Sequence, residues 1–237
     1  MSVVDQETIT QFDDWGIRAF TTTRAAGTFS LAGTDPVNEV MGRWTAVQSD
    51  LHDVARRLVS IRQVHGDRLL VHTAGWEGWL RGEEADGHIA SERGTALAVG
   101  IADCVPVFMA HSSGVVGLLH SGWRGTVARI TAKAVEAFER YGIPAGELAI
   151  HLGPAICGRC YEVSAEVREQ LTGQPTIRPG NVDLRSLIAE QATTAGVRRI
   201  TVDGSCTRCD NDRFFSHRAG DAGRQIAVIA AALSPVA

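Results

Sequence analysis

The chain has 237 residues, 44% of them hydrophobic, and a formal net charge of −4. That hydrophobic content supports a packed core and excludes a disordered chain, while the mild negative charge removes any electrostatic case for nucleic acid or an anionic membrane surface. No stretch nears the roughly 18 apolar residues of a membrane span, and Met1–Glu7 lacks the basic-then-apolar order of a secretory leader, so a cytoplasmic chain with reduced thiols is expected.

In chain order, Ile17–Thr22 is rich in β-formers and reads as a strand that ends at Arg24. From Arg43 to Leu58, the residues Trp44, Val47, Leu51, Val54 and Leu58 recur at steps of three and four, which predicts an amphipathic helix. Val59–Val64 and Leu69–His72 are short strands on either side of a break at His65-Gly66-Asp67. Gly75–Glu84 reads as a loop and Gly87–Ala90 as a short strand. Ala96–Ile101, Val105–Ala110 and Val115–Leu119 are continuous apolar runs, the pattern of strands covered on both faces. Thr126–Tyr141 predicts a helix closed by Gly142 and Pro144. Leu148–Leu152 is a strand, Ser164–Leu171 a short helix, and Asp183 caps a helix that runs to Ala195. Arg198–Val202 is a strand, and alanine-rich Asp221–Leu233 reads as a final helix. Hairpin-like strand pairs mixed with helices predict a mixed-sheet α/β or α+β fold rather than a doubly wound parallel one. No repeat or linker divides residues 1–237, so one domain is expected.

Three reactive residues stand where strands end. His65 follows Arg62-Gln63-Val64, Cys104 follows Ala102-Asp103, and His120 opens His-Ser-Gly-Trp-Arg-Gly. Strand ends hold side chains rigidly while loops admit substrate, so the three are read as one site. Two imidazoles and a thiolate suit Zn²⁺ with a fourth position left open, and copper also accepts these donors. Asp103 is a candidate for orienting a ligand or moving a proton; it also suits a strand-end turn. Gly122 and Gly125 allow a tight turn into the helix from Thr126, whose free amides, with Arg124, could hold an anion such as phosphate. The alternative is a plain turn with Trp123 in the core. His52, His72, His88, His111, His151 and His217 are read as structural or surface residues, His217 the least firmly. Cys157-Gly-Arg-Cys160 and Cys206-Thr-Arg-Cys209 have the spacing of a four-cysteine zinc site; a redox-sensitive disulfide or unlinked thiols are the alternatives.

Arg-Gln-Val-His-Gly, Ala-Asp-Cys-Val-Pro, His-Ser-Gly-Trp-Arg-Gly, Leu-Gly-Pro-Ala-Ile-Cys with Cys-Tyr-Glu-Val, and Cys-Thr followed by Phe-Phe-Ser-His-Arg occur in that order between about Phe20 and Gln225. Together they resemble the YfiH family, also called the laccase-domain or polyphenol oxidoreductase family. The resemblance implies a YfiH-like α/β domain, distantly similar to the cysteine-hydrolase domain of cytotoxic necrotizing factor toxins. It implies a metal on His65, Cys104 and His120, and purine nucleoside phosphorylase activity with adenosine deaminase and methylthioadenosine phosphorylase activities beside it. Arg24, Arg43, Gln63 and Arg124 then become candidates for substrate or phosphate binding, with purine nucleosides and phosphate as partners and a monomer as the default state. Ser121 replaces the family's alanine, Asp86-Gly87 stands where Asp-Ala is common, and of Ser-Leu-Asn-Leu-Gly only Phe29-Ser30-Leu31 and Asn38 remain. Three other functions compete. Cys104 could be the nucleophile of an amidase that edits peptidoglycan precursors, with His120 as its base. Copper-dependent phenol oxidation ranks lower, because no two of the 8 histidines are spaced His-x-His. A purely structural metal site would need a fourth ligand.

Overall fold

The structure, a computed structural model, describes residues 4–233; of the stretch Met1–Glu7 read above, residues 1–3 lie outside that span. The strands are β1 (Gln6–Ile9), β2 (Ile17–Thr22), β3 (Arg57–Arg62), β4 (Leu69–His72), β5 (Gly78–Glu84), β6 (Gly87–Ala90), β7 (Thr95–Ile101), β8 (Val105–Ala110), β9 (Val116–Ser121), β10 (Ala149–Leu152), β11 (Glu162–Val163), β12 (Gly180–Asn181), β13 (Arg199–Val202) and β14 (Gln225–Ala231). The helices are α1 (Val37–Asp50), α2 (Trp123–Val127), α3 (Ile130–Glu139), α4 (Ala165–Thr172) and α5 (Leu184–Thr194). One six-stranded sheet runs β1-β2-β14-β7-β3-β5 and a second runs β13-β10-β8-β9-β6-β4, with β11 and β12 as a small pair. Both large sheets are mixed. β3 pairs in parallel with β5 and β7 while β14 pairs antiparallel with β2 and β7, and in the second sheet β10–β13 and β4–β6 are the parallel pairs.

Three apolar layers explain why these runs became strands. Ala19, Leu97, Val99, Ala227 and Ile229 of the first sheet meet Phe108, Val116 and Leu118 of the second. The alternate residues Phe20, Ala96, Ala98, Ile226 and Val228 face the other way, onto Val40, Trp44 and Val47 of α1. The second sheet's outer face, with Val107 and Leu119, is covered by α3 and α5 through Ile130, Phe138 and Ile188. The order is therefore helix, sheet, sheet, helix, and the inner strands are apolar on both faces because both are buried.

Four predicted elements are corrected. Asp221–Leu233 does not form a helix: Gln225–Ala231 is a fully buried strand between β2 and β7, and its alanines are small because layers press on both sides. The predicted Arg43–Leu58 helix starts at Val37 and stops at Asp50; Leu58 keeps the helical spacing but belongs to β3, packing on α1 from the sheet side. Gly78–Glu84 is an edge strand rather than loop, its polar composition matching its exposed side. Thr126–Tyr141 is two helices, broken where Arg129 takes a left-handed conformation (φ 59°). The Asp183 cap holds, its carboxylate accepting from the Arg185 and Ser186 amides.

Candidate metal centre

The site forms where the two sheets meet. β3 and β7 belong to the first sheet, β8 and β9 to the second, and the chain crosses between sheets through Ala102-Asp103-Cys104. Beyond β3 the backbone pairing with β7 stops at Ser60. The Gln63 amide extends it by donating to the Gly100 carbonyl and accepting from the Gly100 amide, both at 2.7 Å. His65 then takes a left-handed conformation, φ 61°, which costs a non-glycine residue about 1–2 kcal/mol.

The brace that holds this turn is Asp86, fully buried at the start of β6. Its Oδ1 accepts from the His65 amide and His120 Nδ1, both at 2.9 Å. Its Oδ2 accepts from the amides of Gly66 at 2.6 Å and Val64 at 3.1 Å. Sheet register brings the two elements together: β6 pairs with β9 as Gly87↔Leu119, and the next residue, His120, donates its amide to the Asp86 carbonyl. One carboxylate thus fixes the turn that carries the first histidine and the ring of the second. Burial works to raise the Asp86 pKa, but these bonds, led by the one from His120, hold it below the usual carboxylate value.

Cys104 is set by Asp103, itself left-handed at φ 83°. The Asp103 carboxylate is occupied by the Thr207 hydroxyl (2.6 Å), the Ser216 hydroxyl (2.7 Å) and the Arg218 amide (2.7 Å), and its carbonyl accepts from the Ile156 amide. Asp103 therefore anchors the 206–218 loop to the crossover that presents the thiol. A β-carbon on Gly122 would lie 2.9 Å from Cys104 Sγ, which explains the glycine beside the thiol.

The ligand atoms of His65, Cys104 and His120 all lie within 4.8 Å of one another, and the two rings meet edge to face at 4.8 Å. With Nδ1 held by Asp86, the Nε2 of His120 is left for the site. In the metal-free chain, burial opposes charge on both Cys104 and His120. Their mutual attraction overrides it, pulling the thiol down to about 6 and, with Asp86, the imidazole up to about 9. The pair is a thiolate beside an imidazolium.

This centre borders a cavity of about 650 Å³. Gln63, Trp123 and Arg124 line it as expected, with the Arg124 guanidinium 4.3 Å over the Trp123 ring. The helix after His120 starts at Trp123 rather than Thr126 and lasts five residues. The Thr126 amide already donates to the Gly122 carbonyl, so it is not free for an anion. Arg24 and Arg43 do not line the cavity. Arg24 ties Asp221 to the Asn211 and Phe214 carbonyls, and Arg43 ties Asp35 and Glu39 to the Thr28 carbonyl. Sequence reasoning left out Asp86 as a brace, and Arg62, Arg81, Tyr161, Arg218 and Arg224 as lining. His217, read as structural or surface, also lines the cavity. The Phe-Phe-Ser-His-Arg motif was the available signal for His217 and Arg218. Burial, ahead of the nearby thiolate, raises the Tyr161 phenol to about 12, which keeps it a neutral donor at the wall. The motif departures have local causes. Ser121 bonds the Thr126 hydroxyl, and an alanine β-carbon at Gly87 would meet Leu69 and Leu119 methyl groups at 2.4 and 2.6 Å.

Residues 20–232 match the family described as multi-copper polyphenol oxidoreductase laccase. The chain belongs to that family, the YfiH family. A Mycobacterium tuberculosis protein named purine nucleoside phosphorylase is 37% identical over 221 residues, covering 85% of this chain and 86% of its own. A protein from an unknown prokaryotic organism named adenosine deaminase RL5 is 30% identical over 238 residues, covering 86% and 88%. Among solved structures, YlmD from Geobacillus stearothermophilus superposes with a TM-score of 0.83 at 29% identity, covering 92% of each chain. YfiH of Bacillus licheniformis gives 0.84 at 24% identity, covering 96% of this chain and 97% of its own, and shares the fold.

Proposed function

We propose that this chain is a purine nucleoside phosphorylase acting on adenosine and inosine, with Zn²⁺ held by His65, Cys104 and His120. The observation that carries the reading is the position of this donor set on a cavity whose wall offers cations and aromatic faces. The donors fit zinc: two imidazoles and a thiolate leave a fourth tetrahedral position, and the Asp86–His120 bond is the outer-shell partner such a histidine requires. Bound there, zinc supplies Lewis acidity to an oxygen brought against it.

In phosphorolysis a phosphate oxygen bonds to the ribose anomeric carbon as the bond from that carbon to the purine nitrogen breaks. The electron pair leaves with the base, which takes up a proton, and ribose 1-phosphate results. Arg124 and Arg81 line the cavity, and neither is held by an ion pair among the described residues. They bind phosphate and offset its charge as it approaches the sugar. Trp123 and Tyr161 give the base a face to stack on, and Tyr161 donates a hydrogen bond without ionising. Asp86, Asp103 and Gln63 act as positioning residues. Adenosine deamination and methylthioadenosine phosphorolysis belong to the same cavity as side activities. The relatives' names support this assignment. No helix among the described residues is long and apolar enough to cross a membrane; we assign the chain to the cytoplasm as a one-domain monomer.

A second reading is favoured by one observation: Cys104, His120 and Asp86 stand in the order nucleophile, base, orienter, with the thiolate already formed in the metal-free chain. That is the arrangement of a cysteine amidase. Copper-dependent phenol oxidation has less support. The His65–Cys104–His120 group is the only histidine-containing candidate metal cluster among the described residues, so no several-copper array is present there.

The test is product analysis of metal-quantified protein given inosine or adenosine, with and without phosphate. Free base and ribose 1-phosphate that depend on phosphate and vanish in Cys104→Ala support phosphorolysis. No turnover of either nucleoside at one zinc per site refutes it, and amide hydrolysis that rises on zinc removal establishes the second reading.

A further inference from the structure

Cys157, Cys160, Cys206 and Cys209 come from two loops 49 residues apart, yet all four sulfurs lie within 4.8 Å of one another. We propose that these four cysteines form a second metal centre, a tetrahedral tetrathiolate site for Zn²⁺ that locks the cavity wall to the backbone around Cys104.

The geometry fits this better than disulfides. None of the four is in a disulfide, and a Zn–S bond of 2.3 Å puts tetrahedral sulfurs about 3.8 Å apart. Cys160 Sγ and Cys209 Sγ are 3.4 Å apart, close to that edge. Two disulfides would tie the sulfurs in pairs and would not require all four to converge. Two backbone amides, of Cys157 and Cys209, point at Cys206 Sγ at 3.2 and 3.5 Å. Such N–H···S contacts are the outer-shell bonds that orient a ligating sulfur. Each knuckle also carries an arginine, Arg159 and Arg208, which offsets the double negative charge of zinc with four thiolates.

The position gives the centre its task. The two loops meet at a parallel bridge, Ala155↔Cys206, and the Thr207 amide donates to the Ala155 carbonyl. The residues next to the knuckles hold Asp103: the Ile156 amide on its carbonyl, the Thr207 hydroxyl on its carboxylate. Beyond the knuckles lie Tyr161 on one loop and His217 and Arg218 on the other, all lining the cavity. A metal there cross-links both loops in the way a structural zinc fixes chain that has little core of its own. It holds whatever the cavity turns over.

The test is zinc per chain by elemental analysis on full-length protein, with Cys104→Ala and the double variant Cys160→Ser/Cys209→Ser. The expected content is about two for the parent and about one for each variant. Cobalt replacement supplies a second readout that does not depend on the double variant folding. Cys104→Ala loaded with cobalt keeps the intense sulfur-to-metal absorption of a four-sulfur site, because its remaining metal has only thiolate ligands. About one zinc in the parent and none in Cys104→Ala overturns the proposal. So does recovery of the four cysteines as disulfides when the freshly purified chain is alkylated and mass-analysed without reductant.

Discussion

Replacing Asp86 with asparagine keeps the shape and removes half of the acceptors. Oδ1 serves the His65 amide and His120 Nδ1, while Oδ2 serves Val64 and Gly66. A carboxamide satisfies one of these pairs and turns its own N–H groups toward the other. Two bonds to a charged, fully buried acceptor are therefore lost, at about 1.5–3 kcal/mol each. We expect metal-free Asp86→Asn to be destabilised by about 3 kcal/mol or more, and its Tm to fall by roughly 6–12 °C for a chain of this size. Because the same carboxylate orients His120 and holds the strained His65 turn, zinc affinity should fall about 10- to 100-fold. Urea titration of the metal-free proteins gives the first quantity, and competition with a chromophoric chelator gives the second. An unchanged urea midpoint together with zinc affinity within about twofold of the parent would show that the turn stands without this brace.

Three further outcomes follow from other parts of the molecule. Alanine at His65, Cys104 or His120 should each remove the metal of the three-residue centre, seen as a drop of about one zinc per chain, and abolish turnover, whereas alanine at His217 should leave zinc content unchanged. Arg124→Ala should raise the KM for phosphate about tenfold or more with little change in stability. Arg24→Ala should lower stability by about 2 kcal/mol through its lost bonds to Asp221 and two carbonyls and leave that KM alone; equal KM effects would reverse the assignment. His88 is fully buried with no hydrogen-bond partner for either ring nitrogen among the described residues, and burial, then His72, pushes its pKa well down. It stays neutral in the fold while the unfolded chain takes up a proton below about pH 6.5. The unfolded state then binds more protons, so stability rises with pH up to that point, by up to about 1.4 kcal/mol per pH unit for this group. His88→Leu should reduce that slope between pH 5 and 6.5 in urea titrations, and an unreduced slope would mean the ring is protonated in the fold.

Much of the architecture is legible in the chain because the central strands announce themselves. β7, β8 and β9 carry the apolar runs Ala96–Ile101, Val105–Ala110 and Val116–Leu119, and only a strand with both faces covered needs such a run. The same logic hides β14. Alternation disappears when both faces are buried, and alanine, chosen here for thinness between layers, suggests a helix. Leu58 misleads for a related reason, since it belongs to the same apolar layer as α1 and keeps its spacing although it sits on the facing strand. The three candidate ligands were readable as a cluster because histidine and cysteine at strand ends are chemically conspicuous. Asp86 entered only as a position in a family motif, and its role as a brace was not readable, because one acid before a short strand does not show what it bonds. Its role comes from the register that sets β6 against β9. Arg24 and Arg43 loosely match family arginines, but both are occupied: Arg24 by Asp221 and two carbonyls 187 to 197 residues away, Arg43 by Asp35 and Glu39 close by in the chain.

The two candidate chemistries draw on the same sulfur and therefore exclude each other in any one molecule. A thiolate bound to zinc has given up the electron pair that an amidase nucleophile needs. An unbound Cys104, held as a thiolate by His120, is ready for attack but leaves the cavity without its Lewis acid. Asp86 serves both states, because orienting the His120 ring is required of a metal ligand and of a catalytic base alike. On the proposed reading, zinc occupancy of this centre would be the variable that sets the reaction. Titrating zinc into metal-free protein should make nucleoside phosphorolysis rise and any amide hydrolysis fall in proportion to occupancy. Two activities rising together along that titration would mean that the amide hydrolysis does not use Cys104 as its nucleophile.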